Sequence, residues 1–162
     1  MVRSVVLDTT VIVKALLAPP TRLPPDIYAR EEQTHYKCRR ILEFLEELSI
    51  NVMIPAVCVV ETASVIARLT GNRELAKLAS EKLRDIYHVV REDQLLDQAW
   101  EIALTTGASG FDSYFIAAAK VFDALLMTDD VSMADKAARL GVNVILVREA
   151  DIEEIRSTLQ DA

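Results

Sequence analysis

The chain is poor in the residues that build zinc sites and disulfide frameworks. It holds only two cysteines, Cys38 and Cys58, in no CxxC spacing, and only two histidines, His35 and His88. That inventory argues against zinc and fits a reducing cytoplasm. Basic residues are also in deficit, 18 against 25 acidic ones for a net charge of -7. Such a balance speaks against a chain that coats nucleic acid through bulk positive charge, although a cation bound among acids would reverse the local field that a phosphate meets. No apolar run is long enough to span a bilayer, so no membrane partner is expected. Met1 leads into an apolar strand with no basic flank, apolar leader or cleavage site, and an unprocessed cytoplasmic protein is the expectation. Internal repeats and low-complexity tracts are absent as well.

What is present is a globular composition, 51% hydrophobic and 27% charged over 162 residues, which suits one domain spanning residues 1–162. Val2 to Leu7 reads as a short apolar strand ending at Asp8-Thr9-Thr10, followed by a helix over Val11 to Leu17. Pro19, Pro20, Pro24 and Pro25 predict a proline-bearing loop insertion over about residues 19–38. Helical spacing resumes at Ile41, Leu42, Phe44, Leu45 and Leu48. Further strands are predicted at Asn51 to Ile54, Ile86 to Val90, Ala124 to Thr128 and Val142 to Val147. Helices are predicted from Pro55 to about Thr70, Arg73 to Leu83, Asp93 to Thr106, after Gly110 with Phe111, Phe115, Ala118 and Phe122 on one face, and from Asp129 to Leu140. Strands alternating with helices imply an α/β three-layer sandwich around a mainly parallel five-stranded sheet.

In such sheets ligands bind beyond the carboxyl ends of the strands, where strand order reverses. Asp8 follows the first strand, and Asp129 and Asp130 follow the fourth. Glu61 is the only charge between Asn51 and Ala67, and Asp112 the only one between Ile102 and Ala119. Each has a plain alternative. Asp8 and Asp129 suit helix caps, Asp112 suits the positive end of a helix, and Glu61 can reach solvent or Arg68. Together they are four acids in apolar or helix-opening settings, and clustered carboxylates repel unless a cation neutralises them. Oxygen ligands without thiolate or imidazole select hard cations, Mg²⁺ or Mn²⁺.

Asp8-Thr9-Thr10 after the first strand, Glu61 in an apolar helix, Phe111-Asp112-Ser113-Tyr114-Phe115 opening another, and Thr128-Asp129-Asp130 together resemble a PIN-domain nuclease, similar in size to the VapC toxin ribonucleases. The resemblance covers nearly the whole chain. It implies a Mg²⁺- or Mn²⁺-dependent endoribonuclease that leaves a 5′-phosphate, with Asp8, Glu61 and Asp112 as catalytic, metal-coordinating acids. It also implies that Thr9 or Thr10 supports the Asp8 turn. The family's Thr-x-Asp pattern selects Asp130 as the fourth acid, makes Thr128 a supporting hydroxyl and leaves Asp129 as the competing neighbour. The partners it implies are an RNA substrate, an antitoxin protein and a second copy in a homodimer.

Two other classes compete. A haloacid-dehalogenase-like phosphatase needs Asp-x-Asp after its first strand, where this chain has Asp8-Thr9-Thr10, and a receiver domain wants its acidic pair early rather than late. A non-catalytic PIN-like binding module would keep the acids for stability or for a basic partner. Lys37, Arg39 and Arg40 read as a solvated helix face before a phosphate contact, and Trp100, Tyr114 and Phe115 as core or interface before base-stacking groups. His35 and His88 have no visible partner, and Lys120 and Arg139 read as surface charges.

Overall fold

A computed structural model of the protein describes residues 4–161. Five strands, β1 (Ser4–Leu7), β2 (Asn51–Pro55), β3 (His88–Val90), β4 (Leu125–Thr128) and β5 (Val144–Leu146), form one parallel sheet in the order β3-β2-β1-β4-β5. Every residue of β1 and β4 is buried. Central parallel strands are covered on both faces, so Val5-Val6-Leu7 and Leu125-Leu126-Met127 need no alternation of apolar and polar residues. Residues 1–3, which include the start of the expected first strand, and Ala162 lie outside the described residues.

Eight helices flank the sheet: α1 (Thr9–Leu16), α2 (Pro25–Glu47), α3 (Ala56–Thr70), α4 (Arg73–Ile86), α5 (Glu92–Thr106), α6 (Gly110–Val121), α7 (Val131–Arg139) and α8 (Ile152–Gln160). Helix α1 touches α2 and α3, α3 touches α4, and α2 touches α8, whereas α5 packs on α6 and α6 on α7. The helices thus make two groups around the sheet, giving the expected three-layer α/β architecture. Helix α6 lies against β1, β2 and β4, and its Ala117, Ala118 and Ala119 are buried, small side chains that let a helix axis approach a sheet closely. Phe115 is buried with them, while Phe111 and Phe122, on the same face at the two ends, are exposed.

The expected loop over residues 19–38 is a loop only up to Pro24. Pro25 opens α2 at its first helical position, where the missing N–H is no loss and the fixed φ suits the helix. Thr34, Cys38, Ile41, Phe44 and Leu45 form its buried stripe, continuous with the spacing seen beyond Ile41. Other boundaries shift too. Ile86 ends α4 rather than beginning β3, Pro55 closes β2 and caps α3 rather than entering it, and α7 begins at Val131 with Asp130 as its cap. Helix α8 is an element beyond those the spacing predicts. Among the described residues no helix is long and apolar enough to cross a membrane.

Helix α3 stops at Gly71, which adopts φ 65°, a left-handed conformation that costs an L-residue about 1 kcal/mol. A Cβ there would meet no atom within 4 Å, so the cost of Gly71→Ala is conformational alone. Urea unfolding should show a loss of about 1 kcal/mol.

Candidate active site

The turn after β1 and the turn after β4 stand side by side because those strands pair directly, Leu7 against Met127. The Asp8 amide continues the ladder to the Met127 carbonyl at 3.0 Å. These two strands mark the point where the sheet order reverses, with β2 and β3 to one side and β5 to the other, so their carboxyl ends open into the crevice where α/β sheets place ligands.

Asp8 is almost wholly buried. It stands at the cap position of α1 but makes no side-chain cap bond. Its Oδ2 instead accepts two hydroxyl hydrogen bonds, from Thr10 Oγ1 at 2.6 Å and Thr128 Oγ1 at 2.7 Å. Each threonine oxygen in turn accepts a backbone amide, Thr10 from Asp129 N and Thr128 from Asp130 N, both at 3.0 Å. Since the amides occupy the oxygens as acceptors, the hydroxyl protons point to Asp8. Of the two threonines in the first turn it is therefore Thr10 that meets Asp8, while Thr9 Oγ1 donates to Cys58 Sγ at 3.5 Å.

Asp8 shares one groove of about 550 Å³ with Glu61, Asp112 and Asp130, and Glu31, paired there with Lys14, is a fifth acid in its lining. Glu61 comes from the second turn of α3, and its Oε1 is buried without a hydrogen-bond partner. Asp112 sits in the first turn of α6, where its amide, not its carboxylate, completes the cap by donating to Ser109 Oγ at 3.2 Å. Asp130 caps α7, its Oδ1 accepting Met133 N at 2.9 Å. The acids feel one another. Burial, then the charges of Asp8 and Asp112, push Glu61 up to about 7. Burial, opposed by its two threonine bonds and reinforced by Asp112 and Asp130, pushes Asp8 up to about 6. Burial and the charge of Asp130 raise Asp112, with the nearby Ser109 hydroxyl and Lys136 pulling the other way.

Asp129 turns from the groove. Its side chain is fully buried and accepts from Lys14 Nζ at 2.5 Å, from Arg148 Nη2 and Nε at 3.2 Å each, and from Arg148 N at 2.9 Å. Adjacent aspartates thus have opposite settings, Asp129 neutralised on every side and Asp130 at the groove. Lys14, Arg148 and Lys136 were not singled out from the sequence. Lys14 carried a usable signal, being the only charge between Asp8 and Arg22.

Of the other residues, Lys37 is a half-buried tie rather than a solvated charge and His35 has a partner, while Arg40 and Arg139 make ordinary ion pairs. Lys37 Nζ donates to the Val147 and Arg148 carbonyls at 3.2 and 3.3 Å. Arg40 pairs with Glu43 and lies 4.6 Å over the Phe44 ring. His35 lines the groove with Nδ1 2.5 Å from the Lys14 carbonyl, and Arg139 pairs with Asp135 at 3.0 Å on the surface. Burial pushes the Cys38 and Cys58 thiols up to about 12, which leaves neither as a nucleophile.

The family model described as PIN domain matches residues 5–139. The chain belongs to the PIN domain family. Among solved structures, this PIN domain is similar to FitAcB from Neisseria gonorrhoeae (21% identity, 90% of this chain and 99% of that one, TM-score 0.56). It is similar also to PAE2754 from Pyrobaculum aerophilum (16% identity, all of both chains, TM-score 0.59). A structure of FitAB bound to an IR36 DNA fragment aligns at 19% identity over 91% of this chain and 97% of that one, with a TM-score of 0.60. At these identities the likeness is one of fold. No curated protein matches the sequence.

PIN domains generally use divalent metal ions, and the groove of this PIN domain has donors that suit one. Asp8 Oδ2 is filled by hydroxyls while its other oxygen receives no such bond, Glu61 Oε1 is an orphaned buried acceptor, and Asp112 and Asp130 line the same groove. A hard cation meets the oxygen-only donor set and relieves the repulsion that raises these acids. Among the described residues no three acids stand in ready-made coordinating geometry, so a bound ion would draw carboxylates inward or complete its shell with water.

Proposed function

We propose that this PIN domain, read as a single unit over residues 1–162, is a cytoplasmic endoribonuclease dependent on Mg²⁺ or Mn²⁺ and the toxin of a toxin–antitoxin pair. The observation that carries the nuclease reading is the orphaned Glu61 Oε1 in a groove that also holds Asp8, Asp112 and Asp130, its remaining acid, Glu31, being paired with Lys14, a charge arrangement that calls for a cation. The choice of RNA and of the toxin role follows from the resemblance to VapC ribonucleases.

In this reading Asp8, Glu61, Asp112 and Asp130 hold the ion, and Thr10 and Thr128 fix which Asp8 oxygen faces it. A divalent ion at this place supplies a water of lowered pKa and a Lewis acid for the phosphate. The carboxylates that would hold the ion would also orient a water for in-line attack on phosphorus, so that no side-chain nucleophile would be required. Once neutralised, the acids no longer repel a polyanionic substrate.

The decisive experiment is cleavage of a mixed RNA pool with Mn²⁺, with EDTA, and with a Glu61→Gln variant. Cleavage that needs the metal and is lost in the variant supports the proposal. Undetectable cleavage by the wild type, or full activity in EDTA, overturns it in favour of a binding module.

A partner antitoxin follows from the same resemblance, and the solved structure of FitAB bound to DNA supports seeking it among DNA-binding chains. A homodimer is supported by the apolar stripe on α5, where Leu96, Trp100 and Leu104 recur every fourth residue and are all exposed, Trp100 at 63%. Large exposed apolar stripes mark association surfaces. Trp100→Asp should move the protein from dimer to monomer mass in light scattering coupled to gel filtration, and a monomeric wild type would remove the dimer from the proposal.

A further inference from the structure

An ion cluster beside the groove, which its Lys14 and Glu31 also line, ties together four chain segments. Lys14 Nζ of α1 bridges Asp129 Oδ2 at 2.5 Å and Glu31 Oε2 of α2 at 2.8 Å. Arg148, just past β5, wraps Asp129 with its side chain, its backbone amide and an additional bond from Nη2 to the Asp129 carbonyl at 2.8 Å. Lys37 of α2 then holds the Val147 and Arg148 carbonyls. The Asp129 side chain is fully buried, so its charge is tolerable only because these cations surround it.

The cluster reaches Asp8 through one intervening hydroxyl, that of Thr10. Fixing the side chain of Asp129 fixes the residue whose N–H donates to Thr10 Oγ1, the hydroxyl that donates to Asp8 Oδ2, and fixing its carbonyl fixes the peptide that carries the Asp130 N–H. The same turn presents the Asp130 amide to Thr128, the second donor to Asp8 Oδ2. Released from Lys14 and Arg148, the turn loses the constraint that keeps both hydroxyls on one Asp8 oxygen and the other oxygen open.

We infer that Lys14, Asp129 and Arg148 are a positioning set, which orients Thr10 and Thr128 on Asp8 so that the groove presents a defined carboxylate face to a divalent cation. The inference rests on the metal-dependent reading proposed above. Asp129 and Arg148 stand outside the groove lining, and Lys14 reaches it with its ammonium held by Asp129 and Glu31. Partners that orient first ligands typically change metal affinity or activity by 10- to 100-fold when removed.

The test is Mn²⁺ binding to the purified full chain by calorimetry, on wild type, Arg148→Met, Lys14→Met and Glu31→Gln, with thermal melts on each. Arg148→Met and Lys14→Met should each weaken Mn²⁺ binding about 10-fold or more, and lower kcat on RNA with KM little changed. Glu31→Gln, which removes a groove-lining acid and the outer pair but leaves the Asp129 bonds in place, should weaken Mn²⁺ binding less than either. If Arg148→Met fails to fold, Lys14→Met carries the test, because its ammonium is partly exposed. Wild-type Mn²⁺ affinity in a folded variant whose melting temperature has dropped would show the cluster to be structural only and overturn the inference, as would a wild type that binds no Mn²⁺. A wild type that binds Mn²⁺ but cleaves no RNA would overturn the ribonuclease reading, while the calorimetry still decides the positioning.

Discussion

Asp8→Asn is expected to lower metal-dependent RNA cleavage by on the order of 10³-fold and to make the metal-free protein more stable at pH 8. The two effects have one origin. Asp8 is a buried carboxylate pushed up to about 6, so its charge opposes folding at neutral pH, and in the proposed function a cation is what it serves. An asparagine can keep both hydroxyl bonds, with its amide oxygen in the place of Oδ2 and accepting from Thr10 and Thr128. Its NH₂ then stands where the open carboxylate oxygen was, and the atom proposed to meet the metal becomes a donor. A stabilised variant that has lost cleavage in the same assay fits the proposal. A variant that cleaves RNA as the wild type does would remove Asp8 from the chemistry.

The second large effect is on stability against pH. Asp8 rises from 3.8 to about 6 and Glu61 from 4.5 to about 7. For an acid whose folded value is raised, the unfolded chain releases its proton first. Stability is therefore full below about pH 4 as far as these two groups go, falls between pH 4 and 7, and stays low above. Asp8, which is fully desolvated, accounts for about 3 kcal/mol of that fall, and Glu61, which is partly exposed, adds a smaller part that solvent screens. Urea denaturation in EDTA from pH 5 to 8 should show stability decreasing with pH, and saturating Mg²⁺ or Mn²⁺ should recover it by binding only the folded acids. Asp8→Asn should flatten the slope. Stability that rises over the same range in EDTA would contradict the charge arrangement of the groove.

Much of the scaffold was readable because its signals are local. Short apolar runs ending in Asp8 and in Thr128-Asp129-Asp130 announce strand ends, and alternation with helices requires a parallel sheet, whose order then puts those ends together. Asp112 and Glu61 could be singled out because each is a lone charge in an apolar helix. Helix α2 was hidden by its own entry, since Pro25 at a first helical turn and Pro25 in a loop look alike until the stripe from Thr34 onward is counted. The roles of Asp129 and Asp130 were not separable from the residues themselves. What separates them is Lys14 and Arg148, one 115 positions away and the other 19, and no spacing rule reaches that far.

The pairing of β1 with β4 carries a consequence for biosynthesis. The hydroxyl that secures Asp8 belongs to Thr128, 120 residues later, and Asp130 follows it on the same turn. A nascent chain that has exposed Asp8, Glu61 and even Asp112 at the mouth of the ribosome still lacks the neighbouring strand that assembles the groove. Long-range closure of this kind comes late in folding. For a protein that would attack RNA, the cell thereby gains an interval in which the polypeptide is being made beside abundant transcripts and is not yet armed.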